Sequence, residues 1–67
     1  MLWAMTEDKF EQHCRSRGII KPDDILIAKL FVREQKTSKE ILHLIEGRYS
    51  LPTINDKRKT IKARLGL

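Results

Sequence analysis

Between Ile25 and Val32 every residue except Lys29 is apolar. Wound as a helix, Ile25, Leu26, Ile27, Ala28, Leu30, Phe31 and Val32 cover nearly the whole circumference, the pattern of a helix enclosed by others. The β-branched content also suits a buried strand, and periodicity does not arbitrate over so short a run. The helix is preferred because no second stretch of the chain offers a strand to pair with. In 67 residues that choice decides the fold class: all-α, a compact bundle of three to four short helices in one domain over residues 1–67. The apolar segment is then either the core or a dimer seam.

Punctuation residues place the other helices. Thr6 as N-cap, Glu7 and Asp8 at the positive end of the dipole and Gly18 as a left-handed stop predict a first helix over about 7–17. Its apolar stripe is thin, Phe10 and Cys14, so it is expected to be peripheral, with Trp3 or Met5 folding back to widen it. Pro22, Asp23 and Asp24 open the second helix, which should reach about Glu34. Thr37 followed three residues later by Glu40 is a capping box, and Gly47 closes a third helix bearing Ile41, Leu42, Leu44 and Ile45. Ser50 is placed to cap a fourth over about Leu51 to Leu65, with Pro52 in its first turn and Gly66 at its end. At about 100° per residue, Leu51, Ile54, Ile61 and Leu65 of this helix share one sector, and Arg58 lies at the edge of it. Asn55, Lys59 and Lys62 line one outer flank; Thr53, Lys57, Thr60 and Arg64 line the other.

The net charge is confined to this end of the chain. Up to Glu46 bases and acids balance, whereas Arg48, Lys57, Arg58, Lys59, Lys62 and Arg64 face the single acid Asp56, so the formal +5 is a local property. Acids that normally intersperse a solvated lysine face are almost absent, and a field gathered on one element meets a polyanion. Nucleic acid is the first partner to expect.

Other classes fall away. Cys14 is the one cysteine, so no internal disulfide staples the core, and a reducing cytosol fits. The apolar start MLWAM is too short for a signal peptide, and the run from Ile25 is far short of a bilayer span, so the expectation is a cytoplasmic protein without membrane contact, nucleoid-associated if the source is bacterial. His13, Cys14 and His43 lack zinc-ligand spacing, and adjacent His13 and Cys14 diverge on a helix; no metal and no cofactor are expected. Cys14 beside His13 is not a nucleophile and base pair by itself. The carboxylates fall where capping explains them, and there is no phosphate-binding glycine loop, so the chain reads as a non-enzyme.

A short capped helix, a glycine-containing turn from Gly47 to Ser50 and a longer helix with a basic outer face form a helix-turn-helix pattern. Through SKEILHLIEG, YSLPTI and IKARLGL the segment from Thr37 to Leu67 resembles the helix-turn-helix and winged-helix DNA-binding superfamily. The leucine-glycine-leucine step is similar to the end of a winged-helix recognition helix, where a β-wing would follow. Two expectations follow: a wingless helical domain, or the N-terminal domain of a longer protein.

The resemblance implies sequence-specific binding of double-stranded DNA by a small regulator of transcription or the DNA-binding domain of a replication initiator. Size and analogy point to a phage or plasmid setting. Thr53, Asn55 and Lys57, early in the fourth helix, would read bases, Asn55 by a bidentate contact to adenine. Lys59, Lys62 and Arg64, with Arg48 and Ser50 from the turn, would hold the backbone. Arg58 is divided between a phosphate and covering the core with its stem, and Tyr49 is placed under the turn in preference to stacking a base. The alternative is a protein-interaction module whose basic helix is incidental, with Leu26, Leu30, Phe31 and Trp3 as a homodimer face. The two are compatible, since helix-turn-helix dimers read paired half-sites.

Overall fold

A computed structural model describes residues 4–45 and 47–67, and among these, four helices are formed. They are α1 (Glu7–Ser16), α2 (Pro22–Ala28, continued by a π-helical turn over Lys29–Arg33), α3 (Ser38–Leu44) and α4 (Leu51–Leu65). Among the described residues there is no strand, so the segment at Ile25 resolves as helix in an all-α bundle. Trp3 lies outside the described residues.

Local chemistry sets most of the boundaries. Thr6 accepts from the Lys9 N–H and starts α1. The capping box is complete: the Glu40 N–H donates to Thr37 Oγ1 at 3.2 Å, and the Thr37 N–H to Glu40 Oε1 at 2.9 Å. The Thr37 backbone N–H, and after it the Thr37 hydroxyl, hold the Glu40 carboxyl below its ordinary pKa. At the other end of α4, Gly66 takes the left-handed conformation that closes the helix, at φ +73°.

At two helix ends the position is as expected but the local geometry differs. Ser50 sits at the N-cap position of α4, but its hydroxyl pairs with Thr53 Oγ1 at 3.0 Å instead of with a backbone N–H. The second helix keeps regular α geometry only to Ala28. Its ladder then widens, with the Lys29 carbonyl accepting from Glu34 N–H and the Leu30 carbonyl from Lys36 N–H. No glycine stands here, and Gln35 itself adopts the left-handed turn at φ +54°.

Apolar residues from all four helices meet in one core. Phe10, Cys14, Ile27, Ala28, Ile41 and Ile54 have no exposed surface, and Ile19, Ile25, Ile45, Ile61 and Leu65 join them. The stripe of α1 is thin, and both its members, Phe10 and Cys14, are fully buried. Arg33, at the end of the π-turn, donates to the Met5 carbonyl and lies 5.6 Å over the Phe10 ring, tying α1 to α2. Leu30 packs into this same core at 7 % exposure, so the proposed dimer face loses it. Leu26 points outward, and Phe31 is half-buried.

Candidate functional site

Helix α4 rests on Ile54, Ile61 and Leu65, which are buried, so its polar residues emerge on either side of that stripe. Lys57 and Arg58 are neighbours in sequence and stand on opposite borders, about 100° apart. Each finds an aromatic ring, but the rest of their surroundings differ.

On the Lys57 side the protein supplies its own counter-charge. Lys57 Nζ donates to Asp24 Oδ1 at 2.7 Å and lies 4.9 Å from the centre of the Tyr49 ring. The Tyr49 hydroxyl donates to Asp23 Oδ2 and Arg48 to Asp23 Oδ1, both at 2.8 Å. The hydrogen bond to Asp24 lifts the Lys57 ammonium above its usual pKa, and the bond to Asp23 does the same for the Tyr49 phenol. Asp23 and Asp24 thus serve twice, at the positive end of α2 and as partners for the α3–α4 turn and for α4. An open groove of about 270 Å³ on this side is lined by Asp24, Asp56, Lys57 and Arg64, together with Thr53 and Thr60, so acids balance bases. The Arg64 guanidinium folds over Gly18, so closely that a Cβ there would lie 2.5 Å from Nη1.

The Arg58 side has no such balance. The guanidinium stacks 4.4 Å from the centre of the Phe31 ring, and its Nη1 donates to Ser38 Oγ. Ser38, buried at the first position of α3, in turn donates its hydroxyl hydrogen bond to Asn55 Oδ1. Arg58 Nε is buried without a hydrogen-bond partner among the described residues. Beside this relay lies an open groove of about 340 Å³ lined by Phe31, Asn55, Arg58, Lys59 and Lys62. Three cations line it, and among the described residues no acid does. Lys59 and Lys62 are exposed and form no ion pair with a described residue.

The expected nucleic-acid residues therefore divide. Asn55, Arg58, Lys59 and Lys62 come together on one flank. Arg48 and Lys57 are held by acids of α2, Ser50 and Thr53 by each other, and Arg64 lies against the α1–α2 turn. Two participants were not legible as such. Ser38 reads only as a helix-start residue, and Phe31 as part of the apolar run, because their partners lie 17 to 27 positions away along the chain. Elsewhere, burial raises the pKa of the Cys14 thiol, which keeps it protonated and unreactive at neutral pH. No described group of three or more His, Cys, Asp or Glu is gathered so that it could hold a metal ion. No described helix is long and apolar enough to cross a membrane.

Comparison of the chain with protein-family models, curated proteins and solved structures finds no match.

Proposed function

We propose that this protein binds double-stranded DNA through α4, with the Asn55, Lys59 and Lys62 flank turned toward the duplex. The observation that carries the reading is the groove whose three cations, Arg58, Lys59 and Lys62, meet no acid among the described residues. At 15 residues, α4 is about 22 Å long, and its buried stripe fixes which side faces outward. Lys59 and Lys62 hold phosphates; Asn55 contacts a base edge; Arg58, braced on Phe31 and Ser38, lines the groove between them. Arg48 and Lys57 contribute less, because each would first have to leave a carboxylate. A B-form major groove accepts such a helix, whereas the deep, narrow major groove of an RNA duplex does not.

Fluorescence anisotropy with a random-sequence DNA duplex, titrated from low to moderate salt, tests the proposal. Each neutralised phosphate contributes about 0.9 to the slope of log affinity against log salt. Two lysines therefore predict a slope of about −1.8 or steeper. Absence of a complex even at low salt would refute the reading.

A second reading, self-association through α2, is favoured by Leu26, which is 40 % exposed while its apolar neighbours Ile25, Ile27 and Ala28 are buried. Sedimentation velocity at rising concentration tests it. A monomer mass throughout rejects it.

A further inference from the structure

We infer that Ser38 determines what Asn55 can read, making it a donor to acceptor edges such as that of guanine instead of a bidentate partner for adenine. The inference rests on the duplex-binding reading above.

An asparagine amide recognises adenine by using both of its ends, the oxygen accepting from the exocyclic N6 amino group while the nitrogen donates to N7. Here the oxygen is already engaged. Arg58 has only donors to offer, so its contact with Ser38 makes the serine oxygen the acceptor, and the single serine proton goes to Asn55 Oδ1. That arrangement gives the hydroxyl proton an acceptor and the hydroxyl oxygen a donor. The reversed amide would set two donors on one serine oxygen and leave the proton of Ser38, a residue only 8 % exposed, to find another acceptor. Asn55 is thus held with its oxygen toward α3, and its amino group is the end left for a ligand, beside Lys59 and Lys62 on the acid-free groove.

An amino group presented this way donates and has nothing to accept with. Guanine, whose O6 and N7 both accept, suits it best, and thymine O4 comes next. The amino groups of adenine and cytosine on the same edge oppose it donor against donor. Ser38 is then a positioning residue that sets specificity through Asn55 without touching the duplex.

The test is selection of binding sites from a randomised duplex pool by the full chain, with the relevant position defined as the one whose preference collapses in Asn55→Ala. The wild type should prefer guanine or thymine to adenine there by about tenfold. Ser38→Ala, which frees the oxygen, should move that ratio toward adenine by about tenfold. Ser38→Thr, which keeps a hydroxyl, should retain the original ranking. Adenine preferred by the wild type, an unchanged ranking in Ser38→Ala, or no position responding to Asn55→Ala each overturns the inference while duplex binding itself stands. If circular dichroism shows Ser38→Ala unfolded, the wild-type preference and the threonine variant decide. Failure of the wild type to bind any duplex at low salt removes the parent reading instead.

Discussion

Lys57 and Arg58 are consecutive cations on one helix, yet the fold treats them in opposite ways. Lys57 closes an internal circuit with Asp24 and Tyr49, and Arg48 joins it through Asp23. Arg58 leans on an aromatic ring and a hydroxyl, pairs with no acid among the described residues, and borders a groove shared with Lys59 and Lys62. Formal charge is therefore a poor guide to charge a ligand can use. Two of the six bases in the C-terminal segment are occupied in holding the bundle together, and the field left for a polyanion is concentrated on one flank.

The contrast can be broken most forcefully by removing what both flanks stand on. Ile54→Ala should cost about 2–5 kcal/mol in a denaturant titration, because Ile54 is fully buried and truncation leaves a cavity in a small core. Loss of duplex binding should accompany it, whichever flank is used.

Changes confined to one flank should separate the two. The double substitution Lys59→Ala and Lys62→Ala should flatten the salt slope by about 1.8 and weaken duplex binding about 50-fold near 0.1 M salt. Its unfolding free energy should stay within about 0.5 kcal/mol of wild type. Asp24→Asn should behave in the reverse sense. The Lys57–Asp24 pair is a short charged contact with side chains 24 % and 25 % exposed, so its loss should cost about 1 kcal/mol of stability. Lys57, released, should raise duplex affinity and steepen the salt slope. Equal effects of the two variants on binding would show that the flanks are not distinct.

The smallest effects are those of pH, and they fall at opposite ends of the scale. Lys57 and Tyr49 have raised pKa values in the folded protein. Their contribution is complete below their ordinary values near 10 and is lost as pH rises through the folded ones. Unfolding midpoints should decline above about pH 10, less so in Tyr49→Phe. Glu40, on α3, has a lowered value, so its contribution is present above the ordinary carboxylate pKa and disappears as pH falls below about 4. Glu40→Gln should flatten that acid limb and leave the alkaline one unchanged.

How much of this was legible depends on the range of the interaction. The caps at Thr6, Thr37 and Gly66 act within one turn, and the helices begin or end where those residues stand. The apolar stripe of α4 is likewise a property of spacing, and its members Ile54, Ile61 and Leu65 are buried. The second helix runs from Pro22 to a C-cap at Glu34, as the sequence leads one to expect, but the π geometry of its last turn and the left-handed glutamine after it carry no strong residue signature. Asp23 and Asp24 have a sufficient local explanation at a helix start, and nothing nearby reveals that they also bind residues 25 to 33 positions away. Ser38 was hidden for the same reason.

Composition and periodicity determined the four-helix, all-α character of this protein and the gathering of cations on its last helix, because caps, turns and stripes are local and the charge is written in one segment. Which of those cations face an open groove, and which are neutralised from within, was decided only when α2, α3 and α4 packed together. Ion pairs and hydrogen bonds form between side chains that folding brings within about 3 Å, and distance along the chain carries no information about that.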